Sequence, residues 1–199
     1  KKDIIEDERR NVKMLELTNI NSTFNLNNGI KIPCVGYGTF RTPADVAEQA
    51  VKEAIETGYR HIDTAAVYGN EEAVGKGIKD SGIKREDLFV TSKLWNTNRG
   101  YEQTKKAFQE TLDRLQMDYL DLYLIHWPAN EKQFGDDAAK INAETWRAME
   151  DLYNEGKIRA IGVSNFMPHH IAELMKTAKV APAVDQIEVH PGWPHTEEI

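Results

Sequence analysis

Tyr119-Leu-Asp-Leu-Tyr-Leu-Ile125, followed directly by His126-Trp-Pro128, is the stretch that decides the fold of this chain. Its first seven residues are nearly continuous in apolar side chains, which is typical of a β-strand that is covered on both faces. Strands of this kind belong to parallel sheets packed against helices. The stretch therefore predicts an α/β protein in which His126 lies just beyond the carboxyl end of a buried strand.

Strand-like and helix-like segments alternate on both sides of this stretch. The predicted strands cover residues 35–38, 59–64, 88–94, 119–125, 158–163 and 184–189, and the predicted helices cover residues 43–57, 71–81, 101–115, 143–154 and 168–178. Such alternation predicts a parallel sheet. Ahead of it, residues 23–32 predict a β-hairpin, because alternating apolar residues flank the two-residue turn signal Asn28-Gly29.

The choice between an open sheet and a closed barrel depends on the glycines. No G-x-G-x-x-G pattern follows the first strand, so the dinucleotide-binding open sheet lacks its best signal. Gly69, Gly75 and Gly77 have the wrong spacing for that pattern and are predicted to serve turns and helix packing. We therefore predict a (β/α)8 TIM barrel with an N-terminal β-hairpin.

The number of strands is smaller than a barrel needs. Six βα strands are predicted in 199 residues, whereas a barrel of eight strands typically takes about 250 residues. We expect the seventh and eighth barrel strands to be missing from this sequence. Residues 1–22 are predicted to be a leader and lead-in, with Met14 as a candidate natural start, and residues 23–199 the barrel domain.

Composition limits the partners and the compartment. The net charge of −7 argues against nonspecific binding to nucleic acid or to anionic membranes, since both require basic patches. The single cysteine, Cys34, lies in an apolar run and is expected to be a small buried hydrophobic residue. It allows no internal disulfide, and the charged N-terminus lacks the apolar core of a signal peptide. We expect a cytoplasmic protein.

Four ionisable side chains follow three successive predicted strands. Asp63 and Tyr68 come after the second strand, Lys93 ends the third and His126 follows the fourth. The carboxyl ends of barrel strands meet at one mouth, so these residues are expected to lie together. Reduction of a carbonyl needs a proton at oxygen and a hydride at carbon, and the hydride requires a cofactor because no side chain donates one.

Six motifs resemble those of the aldo-keto reductases, specifically the bacterial-type glyoxal (methylglyoxal) or 2,5-diketo-D-gluconate reductase branch. They span residues 36–40, 61–69, 92–96, 118–128, 156–166 and 184–191, in family order and with family spacing. The chain departs from the family at two pocket positions, since Phe40 stands where many members have Trp, and Gly192-Trp193 replaces the more usual aromatic residue directly after His190-Pro191. Two later βα units, which carry an aromatic ring and basic residues for the cofactor, have no counterpart here.

The resemblance implies a role for each of the four ionisable residues. Tyr68 is expected to donate the proton to the substrate oxygen. Lys93 stabilises the phenolate that remains, and Asp63 keeps Lys93 charged and oriented. His126 is expected to orient the substrate carbonyl by a hydrogen bond.

The same resemblance implies a cofactor, a pocket and a substrate class. NADPH is expected as the cofactor, with NADH left open, and the substrate is expected to be a small aldehyde, dicarbonyl or keto-sugar bound by a monomer. The implied cofactor contacts are Gly38, Thr39, Asp63, Ser164, Asn165 and Gln186, and the implied pocket walls are Phe40, Trp95 and Trp127.

Two alternatives stay open at the level of sequence. A metal-dependent barrel hydrolase would use nitrogen and oxygen ligands drawn from His61, Asp63, His126, Glu188 and His190. A non-catalytic relative would bind the nicotinamide cofactor without turning over a substrate. His61 lies inside its strand and not at the end, so a structural role is the simpler interpretation.

Overall fold

A computed structural model describes residues 17–194 of the chain. Residues 1–16 of the predicted leader and lead-in lie outside this range, as do the last five residues of the predicted domain. The strands are β1 (Thr23–Asn25), β2 (Lys31–Pro33), β3 (Tyr37–Gly38), β4 (His61–Asp63), β5 (Phe89–Leu94), β6 (Leu120–Ile125), β7 (Ile158–Ser164) and β8 (Asp185–Gln186). The helices are α1 (Ala44–Glu56), α2 (Glu71–Asp80), α3 (Tyr101–Leu115), α4 (Glu131–Phe134), α5 (Ala138–Asn154) and α6 (Pro168–Leu174).

Strands β3 to β8 form one parallel sheet in the order in which they occur along the chain. A doubly wound open sheet has a point at which the strand order reverses. This sheet has none in the part of the chain that is described. The topology is therefore that of successive barrel strands, and it brings the carboxyl ends of β4, β5, β6 and β7 to one side.

Apolar side chains form one buried layer on each face of the sheet. The outer layer lies between the sheet and the helices and includes Tyr123 and Ile125 from β6. The inner layer contains Leu122 and Leu124 from the same strand, with Phe89 from β5. Because successive side chains of a strand point to opposite faces, β6 is buried on both sides, which explains its nearly continuous apolar sequence.

The N-terminal hairpin β1–β2 packs against the inner layer through the partly buried side chains of Leu26, Ile30 and Ile32. The Asn28 side-chain amide donates to the Arg159 carbonyl oxygen at 3.0 Å, next to the start of β7. The hairpin thus covers the barrel interior at the amino ends of the strands, which leaves the carboxyl ends open.

The hairpin turn differs from its prediction. Leu26 donates to the Ile30 carbonyl at 2.8 Å, and Gly29 donates to the Leu26 carbonyl at 2.9 Å, so three residues form the loop and not two. Gly29 has φ 82°, in the left-handed region that glycine tolerates. This is the arrangement of a type I turn followed by a left-handed residue.

Several predicted element ends are also wrong. Helix α1 begins at Ala44, with Pro43 at the N-cap position and no side-chain cap, whereas the pattern Thr42-Pro43 predicts Thr42 as the N-cap and Pro43 as the first helical residue. Helix α5 begins at Ala138, five residues before the predicted start, and within the added turn Asn142 is buried and bonded to the Ala129 backbone at 2.8 and 3.0 Å. Cys34 is half-buried, not buried as predicted.

The sixth predicted strand is shorter than expected. β8 pairs only through Asp185 and Gln186, opposite Val163 and Ser164 of β7. Val189 beyond it is exposed, since no other strand flanks β8 within residues 17–194. Over the same residues, no helix has both the length and the apolar character needed to cross a bilayer.

Candidate active site

Lys93 and Asp63 meet at the carboxyl ends of two neighbouring strands, β5 and β4. The Lys93 Nζ lies 2.5 Å from Asp63 Oδ1 and 3.0 Å from the backbone oxygen of Thr64. Its third contact is the Tyr68 hydroxyl at 3.4 Å. Lys93 is only 1% exposed. An ammonium has three N–H donors, so these three oxygens can satisfy a cation that is removed from water.

Tyr68 reaches this cluster from a single 3₁₀ turn, Ala66–Tyr68, that follows β4. The turn ends at Gly69, whose φ of 68° lies in the left-handed region. The Tyr68 ring packs edge-to-face with the His126 ring, with centroids 5.8 Å apart, and at a tilt against the Phe40 ring, with centroids 5.1 Å apart. The half-buried phenol therefore stands between the ammonium ion and an open, aromatic-lined space.

His126 lies directly after β6 and is 9% exposed. Its ring packs edge-to-face with the Trp95 ring, with ring centroids 5.3 Å apart. Burial is the main cause that lowers the His126 pKa to about 4, and the Lys93 charge lowers it further, while Asp63 raises it. The imidazole is therefore neutral at pH 7. Its Nδ1 is buried and has no hydrogen-bond partner within residues 17–194.

Three polar residues from β7 and β8 connect to this cluster. Gln186 Nε2 donates to Asp63 Oδ2 at 2.8 Å, so both carboxylate oxygens of Asp63 are engaged. Asn165 Nδ2 donates to the His126 carbonyl oxygen at 2.9 Å and to Ser164 Oγ at 3.0 Å. Asn165 has a left-handed φ of 60°, which asparagine tolerates better than most residues. Hydrogen bonds thus connect Gln186 to the Asp63–Lys93 pair, and Asn165 to the backbone of His126.

The remaining acceptors suit a ligand that carries an amide. The side-chain oxygens of Asn165 and Gln186 have no protein donor in the described part of the chain, and the Thr39 hydroxyl is buried without a partner there. Thr39 N donates to the Asp63 carbonyl at 2.9 Å, and a Cβ at Gly38 would meet nothing within 4 Å. This set fits the carboxamide of the predicted nicotinamide.

The predicted pocket walls are only partly brought together. Phe40 contacts Tyr68 and Trp95 contacts His126, although Phe40 is 62% exposed. Trp127 is 47% exposed, and its ring stacks on no other ring or cation within residues 17–194. Trp127 therefore stands at the rim, next to His126 along the chain but apart from the aromatic cluster.

The ligands of the metal alternative lie apart. His61 Nε2 is 2.9 Å from Thr91 Oγ1, and its ring packs against Phe89 inside the barrel, as a structural residue would. Glu188 and His190 face each other at 3.7 Å on the exposed segment after β8. Residues 17–194 contain no group of three such side chains arranged to hold a metal ion.

One supporting residue was not predicted. Asn70 is buried, donates to the carbonyl oxygens of Thr39 and Thr42 at 3.0 and 2.9 Å, and accepts from the Thr64 hydroxyl at 3.1 Å. It ties the loop that carries Thr39 to the end of β4. A polar residue directly after Tyr68-Gly69 was the only signal in the sequence, and it is equally typical of a helix N-cap.

Residues 34–199 match the sequence model of the Aldo/keto reductase family. The chain belongs to the aldo/keto reductase family. It is 54% identical over 175 residues to the glyoxal reductase of Bacillus subtilis (strain 168), covering 87% of this chain and 60% of that protein. The resemblance drawn from the six motifs, including its bacterial branch, is thereby confirmed.

Solved structures of the family agree with the fold. An aldo/keto reductase from Brucella melitensis has a TM-score of 0.84 and 48% identity, covering 89% of this chain and 65% of its own. A Bombyx mori aldo-keto reductase in complex with NADP has a TM-score of 0.77 and 44% identity, covering 84% and 58%. The aldo/keto reductase chain described here spans less than two thirds of each of these relatives. Such structures are (β/α)8 barrels, so the predicted fold class is confirmed.

Proposed function

We propose that this chain carries the catalytic end of an NADPH-dependent reductase that converts a small aldehyde, dicarbonyl or keto-sugar to the alcohol. The observation that carries the proposal is the position of the Lys93 ammonium, bonded to Asp63 and within 3.4 Å of the Tyr68 hydroxyl. The similarity to a glyoxal reductase supports the small-carbonyl substrate class.

The proton comes from Tyr68. As the phenol releases its proton, negative charge grows on an oxygen beside the buried Lys93 ammonium. At about 4 Å and an effective dielectric of about 20, such a pair of unit charges attracts by roughly 4 kcal/mol. Asp63 reduces this field, but it also holds Lys93 in place and charged, so the lysine can favour the phenolate without leaving its position.

His126 acts as a neutral hydrogen-bond donor. A neutral imidazole carries one N–H, which is enough to bond the substrate oxygen and to stabilise the negative charge that develops there. Burial keeps the pKa of His126 low, at about 4. The ring therefore does not compete with Tyr68 as a source of the proton at pH 7, and its contacts with Tyr68 and Trp95 fix its plane.

The cofactor is held by Ser164, Asn165 and Gln186, with Gly38 and Thr39 on the opposite wall. When bound, the reduced nicotinamide supplies the hydride. The amide oxygens of Asn165 and Gln186 would accept from its carboxamide, and the Gln186–Asp63 hydrogen bond connects that position to Lys93. Phe40 and Trp95 would line the apolar side of the pocket beside the reacting carbonyl, and Trp127 would stand at its rim. NADPH is proposed over NADH because a family neighbour is solved with NADP.

We also propose that the protein is a monomer and is located in the cytoplasm. The single cysteine, with no partner for an internal disulfide, supports a reducing compartment. Neither nucleic acid nor a membrane is proposed as a partner, in keeping with the net charge of −7.

An absorbance assay of reduced nicotinamide tests the proposal. The complete protein is given NADPH or NADH together with methylglyoxal or a keto-sugar. We expect consumption of NADPH that depends on the carbonyl compound and is slower with NADH. Tight cofactor binding without turnover of any carbonyl would instead identify a non-catalytic relative, and metal-dependent hydrolysis that a chelator abolishes would overturn the reductase proposal.

A further inference from the structure

Arg99 connects two loops at the open end of the barrel. It follows the 3₁₀ turn Asn96–Asn98 in the loop after β5, four residues beyond Trp95. Its Nη2 donates to the backbone oxygens of Trp127 and Pro128, at 3.1 and 3.0 Å, in the loop after β6. The guanidinium also lies over the Phe134 ring at 5.4 Å. One side chain thus contacts the connection between β6 and α5, which includes α4, at three places.

The charge of Arg99 has no carboxylate to pair with in the described part of the chain. Its Nε is buried without an acceptor there, and burial alone lowers the pKa of the guanidinium. A cation in this position loses hydration, and the two carbonyl oxygens replace part of it. Hydrogen bonds donated by a charged group are stronger than those between neutral groups, so Arg99 has a substantial preference for this one arrangement of the loop.

The loop that Arg99 holds carries Trp127, the predicted pocket residue that stands apart from the aromatic cluster. Trp127 makes no ring contact of its own within residues 17–194, so the position of its backbone determines where the indole stands. On its far side the loop is fixed at Ala129 by Asn142. For the two residues between His126 and Ala129, which are Trp127 and Pro128, the side chain that bonds to the backbone is Arg99.

We propose that Arg99 is a positioning residue that sets substrate specificity, by holding the backbone of Trp127 and Pro128 and so fixing the Trp127 side of the pocket relative to Trp95. The effect on substrates rests on the proposed function, whereas the effect on the loop does not. Small dicarbonyls contact little of the rim, so larger aldehydes depend more on this contact.

The test compares three variants of the complete protein. Arg99→Met keeps an apolar stem and removes every donor. Arg99→Lys keeps the charge but loses the planar fork, so it should restore only part of the effect. Arg147→Met is the matched control, because Arg147 is an exposed arginine that stacks on the Tyr101 ring at 4.3 Å and makes no contact with this loop.

Hydrogen exchange tests the positioning without reference to catalysis. In Arg99→Met we expect amides of residues 127–134 to exchange about ten-fold faster or more, with β5 and β6 unchanged. Arg147→Met should match the wild type. Unchanged exchange in this loop would overturn the proposal even if activity fell. Should Arg99→Met not fold, the same measurement on Arg99→Lys decides, because a loop as protected as in the wild type contradicts the proposal.

Steady-state kinetics test the consequence for substrates. The ratio of kcat/KM for a large aromatic aldehyde to that for methylglyoxal should fall by about five-fold or more in Arg99→Met, through KM of the large substrate. The cofactor Kd should stay within about two-fold. Equal losses for both substrates would refute a role in specificity. A wild type that reduces no carbonyl would refute the proposed function and leave the hydrogen-exchange result to decide the positioning.

Discussion

Lys93 and Asp63 form an ion pair at 2.5 Å, with the lysine almost completely removed from solvent. A buried pair is stable only when its remaining donors and acceptors are also satisfied. Here the Thr64 carbonyl, the Tyr68 hydroxyl and the Gln186 amide take those positions. The pair is therefore part of the candidate active site, and it also holds together the ends of β4, β5 and β8.

Replacing Lys93 tests both aspects. Lys93→Met should lower kcat by about 100-fold or more, because the phenolate loses its neighbouring cation. It should also destabilise the protein by about 3 kcal/mol, because the Asp63 carboxylate is left without its partner. Stopped-flow assays and urea unfolding measure the two effects. Lys76→Met is the control, since the ion pair of Lys76 with Glu48 is exposed and its loss should change neither quantity. A fully active Lys93→Met variant would contradict the mechanism.

His126 should make the protein less stable in acid. Its native pKa is lowered to about 4, whereas an unfolded histidine titrates near 6.5. Between these values the unfolded chain binds a proton that the native chain does not, so this contribution to stability is lost as pH falls below about 6.5. Between pH 7 and pH 5 the loss is about 2 kcal/mol.

His126→Gln removes this titration and provides the comparison. Urea unfolding of the wild type and the variant at both pH values should give free energies whose difference changes by about 2 kcal/mol, with the wild type losing more in acid. If the difference does not depend on pH, or if NMR shows His126 titrating near 6.5, the neutral-donor role lacks its physical basis.

Replacing Gly75 by alanine should lower the stability of the protein, whereas the same replacement at most helical glycines raises it. Such replacements usually stabilise a helix by about 0.5–1 kcal/mol. A Cβ at Gly75 would, however, clash with the backbone of Leu115, lying 2.6 Å from its carbonyl carbon. Gly75→Ala should therefore destabilise the protein by about 1–3 kcal/mol in urea unfolding. Lys79→Ala, at an exposed site of α2, should have almost no effect, and a stabilised Gly75→Ala would show that α2 and α3 are not closely packed.

The sequence predicted best where one periodic pattern fixes the structure. Helix α3 has the predicted bounds, because Phe108, Leu112 and Leu115 recur at helical spacing and are all buried. The packing role of Gly75 and Gly77 in α2 was also predicted, and each would clash with a neighbouring helix if it carried a Cβ. The meeting of Asp63, Tyr68, Lys93 and His126 followed from the rule for strand ends in barrels.

The sequence predicted poorly where a side chain bonds to distant backbone. Asn70, Arg99 and Asn142 each hold carbonyl oxygens at least 13 residues away, and no local pattern marks such contacts. Trp127 was grouped with Trp95 as a pocket wall because the family resemblance implied it, but its ring is 47% exposed and lies at the rim. These details depend on where loops meet after the strands are in place, which spacing along the chain does not encode.

The Tyr68→Phe variant tests the central claim most directly, because it removes one oxygen and leaves the ring contacts with Phe40 and His126 in place. Turnover of methylglyoxal with NADPH and the cofactor Kd should be measured on the same preparation. The mechanism predicts that kcat falls by about 100-fold or more while Kd changes by less than about two-fold. A variant that keeps near wild-type turnover would contradict the assignment of Tyr68 as the proton donor.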